Sequence, residues 1–171
     1  MLIKYLIISL LILISASTVC AVNNGNGPVV GKPSPNLLGR TLDDKPYNLN
    51  SDLGRTKVIN FFWISCKPCR EELPELARLE KKFKKVKFIA VHTALYKDAE
   101  EPGNVAKFIK SLPAAPTNIV LTTSKELGDN FNINAQPHTM ILDENNVVLL
   151  NISGNNKANM QQLASELNRL K

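Results

Sequence analysis

The chain has 171 residues, of which 44% are hydrophobic and 21% charged, and carries a net charge of +6. That length holds one domain and hardly two, and the apolar content suffices for a buried core. Much of the positive charge sits in one run, Lys81, Lys82, Lys84, Lys85 and Lys87. No aromatic residues alternate with these lysines as a nucleic-acid stacking platform requires, so the run reads as the solvated C-terminal end of a helix and no nucleic-acid partner is expected.

The first 21 residues stand apart from the fold. Lys4 is followed by an apolar run from about Tyr5, the layout of a secretory signal. Val19-Cys20-Ala21 offers small residues for cleavage after Ala21. Two alternatives stay open: an uncleaved anchor, since the run of roughly 17 residues reaches the lower limit of a membrane span, and a lipoprotein with Cys20 modified. Each of the three carries the rest of the chain across a membrane. Residues 22–30, VNNGNGPVV, are rich in Asn and Gly and read as a linker.

Residues 31–171 form the expected domain. A hairpin is expected around Asp43-Asp44-Lys45, then a strand over KVINFFW, 57–63. From Pro68 the pattern turns helical, with Leu73, Leu76, Ala77 and Phe83 recurring at steps of three and four, to about Lys85. A strand over 86–94 follows, then a helix with Pro102 near its start, a strand in TNIVLTT, and a short helix capped by Ser124. HTMILD and VVLLNIS read as strands joined by a tight turn at Glu144-Asn145-Asn146. An amphipathic helix closes the chain, with Met160, Leu163, Leu167 and Leu170 on one face. Alternating strands and helices ending in a hairpin and helix predict an α/β fold, a central mixed sheet with helices on both faces.

Cys66 and Cys69 are the only cysteines of this domain. A staple across two intervening residues would close too small a loop to stabilise much. A closed zinc site needs two more ligands, and only His92 and His138 are at hand; two thiolates and one histidine could instead hold Cu(I). The redox reading fits best: Cys-x-x-Cys lies at a strand-to-helix junction, with Pro68 in the first turn. Cys66 at the helix N-terminus would be the thiolate that attacks, and Cys69, one turn further in, would resolve the mixed disulfide.

With these residues in hand, the chain resembles the thioredoxin superfamily, and within it the TlpA/ResA-like branch of secreted or membrane-tethered thiol-disulfide oxidoreductases. The resemblance begins at Gly31-Lys32-Pro33 and Pro35, runs through TLDDKPYNLNSDLGRTKVINFFW, and is densest from Cys66 to Leu76. It implies a thioredoxin fold with an N-terminal β-hairpin extension. It also implies a cis proline at Pro137, with the backbone at Gln136 and Pro137 binding the substrate strand. Glu72 corresponds to an acidic residue near the thiols that could move the proton of Cys69, and Pro74 to the proline that kinks the active-site helix. Asn60 stands where thioredoxin has a buried aspartate.

Two positions depart from the branch: Ser65 replaces the tryptophan before the first cysteine, and His138 replaces the threonine after the cis proline. A histidine near the thiols could tune them around neutral pH. The implied function is reduction of disulfides in partner proteins outside the cytoplasm, in cytochrome c maturation for several members of the branch. Electrons would come from a membrane donor protein, with residues 1–21 as a membrane tether if retained. No cofactor and no resident metal are implied; a copper-binding chaperone of the same fold is the alternative.

Overall fold

The computed structural model describes residues 26–93 and 102–171; the expected signal or anchor, residues 22–25 of the linker, and the segment leading into the helix at Pro102 lie outside them. Seven strands form one mixed sheet: β1 Leu38–Thr41, β2 Pro46–Asn48, β3 Lys57–Phe62, β4 Lys87–His92, β5 Asn118–Leu121, β6 His138–Leu142 and β7 Val148–Ser153. Their order across the sheet is β2-β1-β5-β4-β3-β6-β7. β3, β4 and β5 are parallel and the remaining pairings are antiparallel.

β3 is buried at all six positions and β4 at five, as central strands covered on both faces must be. β7, at an edge, alternates buried and half-buried residues. The α-helices among the described residues are α1 Lys67–Lys82, α2 Pro102–Ser111 and α3 Lys157–Arg169. The crossovers β3–α1–β4 and β4–α2–β5 step the same way across the sheet, and right-handed connections therefore place both helices on one face. One apolar cluster joins Leu73 and Leu76 of α1, Val105 and Phe108 of α2, and Leu163 and Leu167 of α3 to Phe62, Ala90 and Ile152 of the sheet.

The opposite face is covered by a short helical segment, Glu126–Asn130, by a 3-10 turn, Leu49–Ser51, that buries Leu49, and by flanking residues Leu37, Phe131 and Ile133. Helical structure therefore covers both faces, unequally. Ser124, the expected cap, makes no capping bond to the short helical segment; the Glu126 N–H donates instead to Thr123 Oγ1 at 3.1 Å. The β6–β7 turn forms around Asp143, whose Oδ1 accepts the N–H groups of Asn145 and Val147 at 2.9 and 2.8 Å. Asn146 takes the left-handed conformation, φ 63°, that asparagine tolerates best among residues with a Cβ.

Lys81, Lys82, Lys84 and Lys85 are exposed at the end of α1, as its charge pattern predicts. Lys87 instead turns inward and pairs with Asp52 at 2.6 Å.

Candidate active site

β3 ends at Phe62 and α1 begins five residues later at Lys67, so the junction lies at the carboxyl edge of the sheet. Cys66 caps α1: its sulfur accepts the Cys69 N–H at 3.2 Å. Pro68 occupies the first turn, where a missing N–H removes no helical bond. Free N–H groups and the helix dipole favour negative charge at this sulfur. Cys66 and Cys69 are joined as a disulfide. Cys66 is half-buried, whereas Cys69 is fully buried against the apolar cluster. Lys67, Pro68 and Arg70 around them are exposed, and the Arg70 guanidinium lies over the Phe108 ring of α2 at 4.8 Å.

The bond between Gln136 and Pro137 is cis. The Gln136 carbonyl oxygen lies 3.7 Å from Cys66 Sγ, and the Gln136 side chain donates to the Thr93 carbonyl at 3.0 Å. The Gln136 carbonyl thus faces the half-buried sulfur.

Glu72 follows Cys69 by one turn on the inner face of α1 and is 1% exposed. Its two oxygens accept Thr139 Oγ1–H at 2.9 Å and Asn60 Nδ2–H at 3.1 Å. Asn60 also donates to Thr139 Oγ1 at 2.9 Å. Asn60 of β3 and Thr139 of β6 are direct cross-strand partners, so the register builds this cradle. Burial pushes the Glu72 carboxyl up to about 7, against the two hydrogen bonds, which favour the ionised form. Pro74 lies inside α1 one turn below the disulfide. Its ring deprives the Arg70 carbonyl of its usual N–H partner.

Sequence reasoning did not single out Thr139. The available signal was alternation from Pro137, which puts Thr139 on the α1 face and His138 on the other. His138 accordingly points away from Glu72 and is hydrogen-bonded through Nε2 to Asn151. Burial holds its proton affinity below the usual histidine range. Its partner is Asn151, so its position gives no support to the tuning of the thiols expected of it. His92 packs edge-on against Phe62 at 5.3 Å between ring centroids, and burial pushes it down to about 4. Among the described residues no three of His, Cys, Asp and Glu converge as metal ligands. Trp63 is half-buried and Ser65 exposed, so no large apolar side chain directly precedes the attacking sulfur.

The sequence and the fold have counterparts. The chain is 29% identical over 119 residues to thioredoxin-like protein YneN of Bacillus subtilis, covering 69% of this chain and 68% of that protein. It is 27% identical over 126 residues to thiol-disulfide oxidoreductase ResA of the same organism, covering 72% and 67%. The thioredoxin domain of a thiol-disulfide oxidoreductase from Bacteroides vulgatus superposes with a TM-score of 0.68 at 19% identity, over 81% of this chain and 97% of that domain. Fold, vicinal cysteines and relatives together define a thiol-disulfide oxidoreductase of thioredoxin fold. The family model described as Redoxin matches residues 29–167, and the chain belongs to that family.

Proposed function

We propose that the protein reduces disulfides in partner proteins outside the cytoplasm, with Cys66 as nucleophile and Cys69 as resolving thiol. The observation that carries this reading is the unequal burial of the two sulfurs at the end of α1. In the reduced protein the Cys66 thiolate attacks a partner disulfide. One partner sulfur leaves as a thiolate and takes up a proton, and Cys66 is joined to the other. Cys69 passes its proton to Glu72, as thiolate attacks Cys66, and expels the second partner sulfur, which is then protonated. Two electrons have moved to the partner, and the Cys66–Cys69 disulfide is regenerated.

A dithiol donor must then restore the reduced form. The signal-like residues 1–21 favour a location across the membrane, where a membrane donor protein would supply those electrons. Retention of that segment would tether the domain; cleavage after Ala21 would free it. The resemblance to the TlpA/ResA-like branch favours a role in cytochrome c maturation, with the backbone at Gln136 and Pro137 pairing with the substrate strand.

The test is the reduction potential, measured against glutathione and dithiothreitol buffers. A value near or below that of thioredoxin, about −270 mV, is expected of a reductant. A value near −120 mV, that of a strong oxidant, would reverse the direction.

A further inference from the structure

The chain enters the described structure on the back of the loop that carries Gln136 and Pro137. The Asn134 N–H donates to Asn26 Oδ1 at 3.1 Å, and the Gly27 N–H donates to the Asn132 carbonyl at 3.0 Å. Asn151 of β7 straddles the same segment: its Nδ2 donates to the carbonyls of Asn26 and Pro28, both at 2.9 Å. Its Oδ1 is hydrogen-bonded to His138 Nε2, in the residue directly after Pro137. Pro28 is buried in this contact.

Gly27 is required at the crossing. Its φ is +88°, and an added Cβ would lie 2.6 Å from His138 Nε2 and 2.9 Å from Asn151 Nδ2.

Between the short helical segment and β6, the loop has no strand partner of its own. From behind, residues 26–28 supply the acceptor for the Asn134 N–H and a donor for the Asn132 carbonyl. In front, the Gln136 carbonyl faces Cys66 Sγ at 3.7 Å. The loop is thus clamped between the N-terminal segment and the redox sulfur. His138 Nε2 completes the clasp through Asn151.

We propose that Asn26–Pro28 is a positioning strap. It sets the distance of the Gln136–Pro137 backbone from Cys66, and so the fit of a partner's polypeptide strand, without taking part in the sulfur chemistry. Asn26, Gly27, His138 and Asn151 are its positioning residues. The proposal rests on the reading that protein substrates pair with the backbone beside Pro137. Strand pairing needs the loop at a fixed distance from the sulfur, and a misplacement on the order of 1 Å is costly to a reaction that depends on orientation. A small disulfide reagent needs only the sulfur.

The test uses the full chain with Asn26→Ala, Asn26→Asp, Gly27→Ala and Pro137→Ala. Two reactions are followed: reduction of a synthetic peptide with a Cys-x-x-Cys disulfide, and reaction of the reduced protein with 5,5′-dithiobis(2-nitrobenzoate). Asn26→Ala and Gly27→Ala should raise KM for the peptide about tenfold and leave kcat and the reagent rate within about twofold. Asn26→Asp keeps an oxygen for the Asn134 N–H and should behave as wild type. If Gly27→Ala does not fold, the two Asn26 variants decide alone. Unchanged KM in Asn26→Ala, or a reagent rate that falls in parallel with peptide turnover, overturns the strap. Pro137→Ala separates the two layers of the argument: a raised KM there with unchanged strap variants sinks the strap alone, whereas an unchanged KM there sinks the reading of the loop as a substrate platform.

Discussion

Thr139 of β6 donates its hydroxyl to Glu72 Oε1 of α1 across 2.9 Å, in an interface where Glu72 is 1% exposed and Thr139 equally buried. A lone carboxylate in such a place would be costly. Two donors, Thr139 and Asn60, offset part of that cost and leave Glu72 balanced between its protonated and ionised forms near neutral pH. A carboxyl poised this way, one turn from a buried thiol, is suited to take a proton and return it.

Glu72→Gln keeps the shape and removes the acceptor. Resolution of the mixed disulfide by Cys69 should slow by about a hundredfold at pH 7, the usual order for loss of a general base. The initial attack by Cys66 should change little. Rapid-mixing kinetics against a fluorescent mixed disulfide separate the two steps; equal rates in both proteins from pH 6 to 8 would make Glu72 structural only.

The same carboxyl gives a stability prediction with a definite sign. Its proton affinity is raised in the folded state, from 4.5 to about 7. The stability it contributes is therefore complete below pH 4.5 and is lost as pH rises through 7, on the order of 3 kcal/mol. Glu72→Gln should be more stable than wild type above pH 7, with the difference vanishing near pH 4.5. Urea denaturation across that range reads it directly.

His92 acts in the opposite window. Burial lowers it from 6.5 to about 4, so the unfolded chain binds the proton first and stability falls as pH drops from 6.5 through 4. The loss is again roughly 3 kcal/mol. His92→Phe preserves the edge contact with Phe62 and should flatten that limb of the stability curve. A curve that stays parallel to wild type between pH 6.5 and 4 would show that His92 is not responsible.

The two cysteines should trap differently. Cys69→Ser should accumulate mixed disulfides through Cys66, visible on non-reducing gels and by mass spectrometry. Cys66→Ser should accumulate none, because its remaining thiol is fully buried. The reverse pattern would exchange their roles.

At the far end of β3, Asp52 Oδ2 accepts the Tyr47 hydroxyl at 3.0 Å and Lys87 Nζ at 2.6 Å. Its charge also offsets the burial that lowers the proton affinity of Lys57, whose side chain is fully buried and donates to the Arg55 carbonyl at 2.8 Å. Asp52→Asn keeps the size and removes the charge that both cations face. It should cost about 2 kcal/mol in a denaturant titration, less than a fully buried pair because Lys87 and Asp52 are partly exposed. An unchanged midpoint would mean that solvent screens the pair.

What the sequence determined by itself was local and periodic. The order of strands and helices, the thiols at a strand-to-helix junction, the proline in the first turn and the lysines at the end of α1 follow from spacings of two to four residues, and capping and amphipathic patterns act over that range. The step of three from Cys69 and the family resemblance single out Glu72 over Glu71, but spacing over that range does not show what Glu72 packs against. The two glutamates are neighbours of identical chemistry, yet one is exposed and the other buried, because a single helical step turns the side chain from solvent onto β3 and β6. Only the register that sets Asn60 beside Thr139 shows the cradle in which Glu72 is held. The tertiary structure likewise turned His138 away from the thiols, since strand alternation starts from the residue that packs on α1. It also brought Asn26 against Asn134, 108 residues along the chain, a contact that no local pattern encodes. Burial and long-range hydrogen bonds depend on which surfaces meet, and that is decided by the packing of the whole sheet against its helices.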